Sequence, residues 1–382
     1  MRAWTGHPLW LVGFRPFFIL ASVAGVVLPL IWALLFTGTL APPPGVTPLP
    51  WHAHEMFFGF GLAVVGGFLL TATKNWVQVR GHYGHTLQYL TAAWLFERAG
   101  MWWGGAWPAA LRFVSLHLYL VSLVGLVWWT LIRHRRTDSY RDNVLFLIAL
   151  PVLELARTLL LSPTHFAEGR DLTLGIFRLF FVVMLERTLV PFMKGTFKVE
   201  LPRRPWLDTG IKVLALSLLA APWMPAVVRP AVQLALAVLF TGRLLTWSPH
   251  VAFRKLEVGV MYVGGLALAT QLVLDALGTS WVGALATHVF TFGTMGLIIP
   301  AMFIRIAHGH TGRPIRFGWL ERAALGSMAL GLVARVVAPQ LAPERYFTWV
   351  SLAAAGWSLC FALIAVRITP LLLAERVDGK EH

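Results

Sequence analysis

Long apolar runs alternate with short polar joints along almost the whole chain. The runs fall at about residues 15–38, 52–73, 86–104, 110–132, 143–162 and 172–193, then at 208–223, 227–246, 256–277, 280–304, 318–338 and 345–373. A helix of about 20 residues crosses the hydrocarbon layer of a bilayer, and most of these runs reach that length. The joints carry the residues that stop helices, as in Ala41-Pro42-Pro43-Pro44-Gly45, Gly104-Gly105 near Pro108, and Pro222 near Pro225. The pattern predicts an all-α, polytopic membrane protein of about twelve transmembrane helices. It forms a single integral membrane helical domain over residues 1–382, with no stretch left for a soluble domain. Phe17–Phe36 is longer than a signal-peptide core and lacks an A-x-A site before the triple proline, so it reads as a retained first helix.

The charges in the joints orient this array. Lys74 and Arg80; Arg133, Arg135, Arg136 and Arg141; Lys194, Lys198, Arg203 and Arg204; Arg254 and Lys255; and Arg313 and Arg316 occupy alternate loops. The loops between them, at 39–51, 163–171, 224–230 and 278–280, are poor in Lys and Arg, and the tail with Arg376 and Lys380 falls on the basic side. Lysine and arginine collect in cytoplasmic loops, so this alternation predicts both termini in the cytoplasm.

Composition sharpens the class. Of 382 residues 57% are hydrophobic and only 13% charged, and mean hydropathy is +0.69; a soluble domain carries about 25% charged residues. A net charge of +15 would suggest nucleic acid in a soluble protein. Here the excess sits in loops between spans, where membrane topology accounts for it, and nucleic acid is excluded as a partner in favour of membrane lipid. Cys360 is the single cysteine, which rules out an intrachain disulfide and any thiolate-bound cluster.

Against this apolar background the polar residues inside the runs stand out. Trp51-His52-Ala53-His54-Glu55-Met56 sets two histidines and a carboxylate at the outer lip of the second run. Ionisable side chains are costly in lipid and mark sites or partners, and imidazole is the commonest side-chain ligand for transition metals. On one helix, positions two apart point ~200° away from each other. Either the helix begins at His54 or the two histidines serve different centres; an interfacial belt of His and Trp is the plainer alternative. His288 in the tenth run and His117 in the fourth lie at similar depth from the same face. Glycines surround both motifs (Gly59, Gly61, Gly66 and Gly67; Gly293 and Gly296), which suits close helix packing or a flat macrocycle. Glu97-Arg98, Glu154 with Arg157, Glu186-Arg187 and Asp275 are charged near mid-membrane. Glu154 and Arg157 are spaced to pair on one face. Such charges are structural, or relay protons, or anchor haem propionates, and Arg98 and Arg187 are the propionate candidates because guanidinium binds carboxylates in bidentate fashion. His308 and His310 flank Gly309 in a loop-like segment on the basic side, either solvated or ligating. About 22 residues of helix part His310 from His288, roughly 30 Å of rise, so the two cannot share one metal.

The order of motifs resembles the NnrS family of bacterial inner-membrane proteins over nearly the whole chain. Gly13-Phe14-Arg15-Pro16-Phe17-Phe18, Trp51-His52-Ala53-His54-Glu55-Met56, Gly67-Phe68-Leu69-Leu70-Thr71-Ala72, Arg187-x-x-x-Pro191-Phe192, the stretch from His288 to Gly293-Thr294-Met295-Gly296, and Gly309-His310-Thr311-Gly312-Arg313-Pro314 carry the likeness. The resemblance implies a twelve-helix inner-membrane protein that binds haem, of the b type, and copper, and that works on nitric oxide or in defence against nitrosative stress. On matching positions His52, His54, Glu55, His288 and His310 inherit cofactor roles. The resulting expectation has His54, His288, His310, Arg98 and Arg187 binding cofactor, with metal ligands drawn from His52, His54, His288 and His117. Glu55 is then the catalytic proton donor, from the outer side. His117 and His308 match no family motif. Glu186 before Arg187 and Met193-Lys194 after Phe192 depart from the pattern and mark a divergent subgroup.

Three function classes follow. The first is an oxidoreductase of the nitric oxide reductase type, fed with electrons by a quinol or a redox protein, since the chain has no soluble redox domain. The second is a transporter of haem, copper or a small solute; no six-plus-six internal repeat is visible. The third is an assembly factor without turnover.

Overall fold

The structure, a computed structural model, describes residues 6–278 and 280–379; Lys380 and the middle of the 278–280 joint lie outside them. Among the described residues there is no strand, and every apolar run is helical. We number the long helices α1 (Phe14–Phe36), α2 (Pro48–Trp76), α3 (His85–Trp103), α4 (Ala109–Arg133), α5 (Val144–Leu160) and α6 (Phe166–Phe197). They continue with α7 (Pro205–Ser217, extended by a 3-10 turn Leu218–Trp223), α8 (Val228–Thr246), α9 (Leu256–Ala276), α10 (Leu285–His310), α11 (Trp319–Leu341) and α12 (Tyr346–Leu373). Nine spans among the described residues are long and apolar enough to cross a membrane. The other three, α3, α6 and α7, carry charges such as Glu97, Arg178 and Asp208.

Two elements depart from the expected bounds. The tenth run was expected from residue 280, but Gly283 (φ +70°) and Ala284 (φ +53°) are left-handed, a conformation that cannot continue a right-handed helix. At the other end, the segment expected as a loop around His308 and His310 is the last turn of α10. Its exit is closed by the Thr311 hydroxyl donating to Ala307 O and by Gly312 at φ +77°. Helix α6 has 32 residues, because charged turns at Glu168–Asp171 and Lys194 lengthen the apolar stretch at both ends.

Three helices contain a π-helical stretch, which adds a residue to a turn and is frequent at functional sites. These are Glu55–Gly61 in α2, Val289–Met295 in α10 and Val333–Val337 in α11. Helices α2 and α10 are built alike. A short α-helical lead ends in histidine (His54, His288), the π-stretch starts at the next residue, and Phe-Gly follows four and five places on (Phe58-Gly59, Phe292-Gly293). This correspondence joins the second helix to the tenth, so a search for halves of six helices misses it.

The chain divides into two compact units. The first comprises residues up to Gly169, Phe303–Arg316 and the chain from Phe361 on; the second comprises Arg170–Met302 and Phe317–Cys360. In lipid the apolar solvent gives helices no hydrophobic reason to associate, so close packing must hold them. In the first unit Phe18 stacks on Phe303 at 3.9 Å, Phe17 on Tyr119 at 5.6 Å, and Gly67 seats its backbone against Phe17. In the second, Phe292 meets Trp357 edge-on at 5.0 Å, and a methyl on Gly293 would stand 2.6 Å from Ala267 Cβ. Outward faces expose Phe113, Trp129, Val238 and Leu245, as a lipid-facing surface requires.

Candidate functional site

The first unit gathers its charges around His54. Pro48 opens α2, where its missing N–H costs nothing, so the helix starts early enough to place both histidines on helical backbone. They then point apart, as a two-residue spacing demands. The half-buried His52 ring stacks on Trp32 at 4.1 Å, while His54 is wholly buried.

From His54 an unbroken chain of polar contacts crosses four helices. Its Nδ1 lies 3.1 Å from Glu55 Oε1, and its Nε2 lies 3.5 Å from Glu97 Oε1 on α3. Arg98 Nη1 donates to Glu55 Oε2 at 3.1 Å and stands 3.0 Å from Oε1, while Arg98 Nη2 is 3.1 Å from Glu97 Oε2. On α5, Arg157 Nη1 donates to Glu97 Oε1 at 3.3 Å, and its Nη2 reaches His117 Nδ1 at 2.6 Å. Arg157 also pairs with Glu154, as the spacing predicts, and Glu154 touches His117. The backbone makes room at one place: a methyl on Gly59 would stand 2.3 Å from Arg98 Nη1. Glycine there leaves room for the arginine. Trp94 donates its indole N–H to Gly59 O at 3.0 Å and lays its ring under Arg98.

Three carboxylates, Glu55, Glu97 and Glu154, face two guanidinium groups, so one further proton on an imidazole or carboxyl brings the cluster to neutrality. Burial falls off along the chain: His54 and Glu97 are fully enclosed, whereas the His117 and Glu154 side chains are 27% and 28% exposed. A cavity of about 280 Å³ lies at this end, lined by Thr47, Trp51, Gly100, Arg112, Leu116 and Leu161 among others. Leu116 adjoins His117, and Gly100 is one turn from Glu97.

The remaining predicted residues have other surroundings within their own units. In the first unit, the half-buried His310 sets its ring 5.3 Å from Phe14, and its carbonyl accepts from Arg376 at 2.8 Å. His308 is buried; its Nδ1–H donates to Ile304 O at 2.8 Å, which leaves Nε2 to accept from Arg367 at 3.2 Å. Both nitrogens of His308 are thereby occupied. In the second unit, His288 is half-buried with Nδ1 3.0 Å from Ala284 O, and Arg187 is half-buried on α6. Among the described residues no three His, Cys, Asp or Glu side chains are grouped to hold a metal ion. Sequence reasoning singled out Glu97, Arg98, Glu154 and Arg157 as charges but did not join them to His54. Their shared end was legible, since α3 and α5 finish where α2 and α4 begin.

Fold and site together define an all-helical membrane protein with a charged, mutually paired cluster inside its first unit, open at the His117–Glu154 end. A sequence profile described as NnrS protein matches residues 8–376, and the chain belongs to the NnrS family. No curated protein matches it.

Proposed function

We propose that this protein handles nitric oxide within the bacterial inner membrane, binding it at a haem held through His54, in a bundle of twelve spans with both termini cytoplasmic. One observation carries the reading. His54 is a fully buried imidazole held between two carboxylates, its Nδ1 3.1 Å from Glu55 Oε1 and its Nε2 3.5 Å from Glu97 Oε1. A ligating histidine commonly donates one nitrogen to a carboxylate that sets the tautomer, as Glu55 would here, and iron at Nε2 would take the place of the Glu97 contact. Membership of the NnrS family points the same way, towards nitric oxide, and an apolar gas that enters from lipid needs no aqueous channel.

The donor set suits haem better than copper. One oriented imidazole can bind haem iron, while Arg98, the propionate candidate, is already paired with Glu55 and Glu97. A copper centre needs several ligands, and His52 and His117 are turned to Trp32 and to Glu154 with Arg157. The residues therefore do not fit a copper centre. When bound, haem supplies an iron that takes nitric oxide and exchanges electrons with an external quinol or redox protein. The chain's own part is to orient the His54 ring through Glu55, to keep water out around Glu97, and to hold a proton at the Glu55–His54 contact.

The test is the absorption spectrum of protein purified in detergent, with and without nitric oxide. A Soret band that shifts with the gas, and is lost in His54→Ala while His52→Ala keeps it, is the expected result. A folded protein without haem, or a His54→Ala variant with an unchanged spectrum, overturns the assignment.

A further inference from the structure

We propose that α9, α10 and α11 of the second unit form a groove for one phospholipid of net negative charge, with an acyl chain laid between α9 and α11 and the phosphate at Arg322. A cavity of about 440 Å³ opens there on the surface of the unit. Positions 256, 259, 260 and 263 of α9 and 322, 325, 326 and 329 of α11 line it. Both sets follow the i, i+3, i+4, i+7 spacing that marks one face of a helix. Leu297 of α10, which is buried, forms the floor between them. A methyl on Gly326 would meet nothing within 4 Å, so this glycine serves no helix contact and leaves the groove open. Leu256 and Val263 are exposed along the opening, so whatever fills it comes from outside the chain. Both helices are long and apolar enough to cross a membrane, where lipid is the surrounding medium. A gap left empty between packed helices forfeits dispersion contacts, and in a membrane such contacts hold helices together.

One end of the groove is positive. Arg322 lines the cavity at the start of α11, and its Nε donates to Phe317 O at 3.4 Å, which fixes the guanidinium. Its Nη groups meet no carboxylate among the described residues. Glu321, next in sequence, is buried and accepts from Gly318 N at 2.8 Å. Helices α9 and α11 run the same way against α10: Gly293 faces Ala267 and Leu332, while further along α10 Ile298 faces Gly264 and Gly296 faces Met328. Arg254 and Lys255, just ahead of α9, therefore lie at the Arg322 end. No side chain caps the α9 N-terminus, whose free N–H groups add positive potential. The acid nearby, Glu257, sits about 100° round α9 from Leu256 and leaves the excess positive. An apolar slot at membrane depth that ends in unpaired basic residues complements an anionic headgroup above its acyl chain. A quinol shares the apolar tail but must give up protons, and no carboxylate or imidazole lines the groove.

The test is thermal unfolding of the delipidated full chain in detergent, titrated with phosphatidylglycerol, with phosphatidylcholine of the same acyl chains, or with decylubiquinone. Phosphatidylglycerol should raise the midpoint saturably and at the lowest mole fraction. In Arg322→Gln its half-saturating fraction should rise about fivefold, the worth of one basic residue at a membrane surface, towards that of phosphatidylcholine. Gly326→Leu fills the groove: without lipid it should match the wild type, and it should gain less from either phospholipid. A phosphatidylglycerol carrying a diazirine in mid-chain locates the site without any variant, since its adducts after irradiation should fall within 256–263 and 322–329. The proposal is overturned if the two phospholipids act alike on the wild type, if decylubiquinone is the more effective, or if the adducts lie elsewhere. It fails equally if either variant responds to phosphatidylglycerol as the wild type does, which would put the lipid on the basic loops at large.

Discussion

Gly59 shows how much one missing methyl group can decide. Alanine at this position puts its Cβ where Arg98 Nη1 now stands, so Gly59→Ala should push the guanidinium off Glu55. Overpacking of this kind costs about 1–3 kcal/mol, and a lower unfolding midpoint in detergent checks it. Arg157 carries more weight, because it faces the fully buried Glu97. Arg157→Gln leaves Glu55, Glu97 and Glu154 facing Arg98 alone and should cost about 3–5 kcal/mol, whereas adding Glu97→Gln in the same chain should recover much of the loss. Denaturant unfolding of the two single variants and the double variant measures the coupling; simple additivity would show that the pair is not a unit. The individual charges were plain in the sequence, and so was the Glu154–Arg157 spacing. That His54 faces Glu97 was not, because it depends on how α2 turns against α3, and helix rotation is set by packing that no local pattern records.

At the scale of elements, the spans were legible because twenty apolar residues in a row have few alternatives to a helix in lipid. Their ends were harder. The left-handed pair at Gly283 and Ala284 includes an alanine, which gives no local warning of positive φ. The π-stretches were hidden too, since an added residue in one turn leaves hydropathy unchanged. Deleting Phe57 from Glu55–Gly61 should restore a plain α-helix and swing Trp51–His54 by about 100° relative to the rest of α2. His54 then leaves Glu97, and any His54-dependent absorption should vanish while helical circular dichroism persists. The joint between α2 and α3 gives a pH prediction. His82 Nε2 lies 3.1 Å from Thr130 Oγ1, and burial lowers its pKa below the ordinary value, with a smaller opposing effect of the Leu126 carbonyl. A group with a depressed folded pKa contributes stability that is complete above its unfolded value of about 6.5 and is lost as pH falls through the folded one. The unfolding midpoint should therefore drop as the medium is acidified below about pH 6.5, and His82→Gln should flatten that slope.

For the molecule as a whole, the alternating basic loops set the expected orientation. A periplasm-active reporter should be silent when fused after Arg136 or Lys255 and active when inserted near Gly45 or Pro225. The reverse pattern at any one of these sites would mean that a span had been miscounted. The division into two units was not legible, because the first unit draws on the two ends of the chain as well as on part of α10. Arg15 makes that arrangement concrete, with its guanidinium donating at 2.9 Å to Leu372 O, 357 residues further on. Translated into time, the contact sets an order of assembly. At a synthesis rate of 5–20 residues per second, Arg15 enters the membrane roughly 20–70 s before its acceptor is made. A buried cation with its partner still unsynthesised needs water, lipid headgroup or an insertion factor in the interval. The first helix can pack early against α2 and α4, but its arginine stays without its carbonyl partners until the last helix arrives.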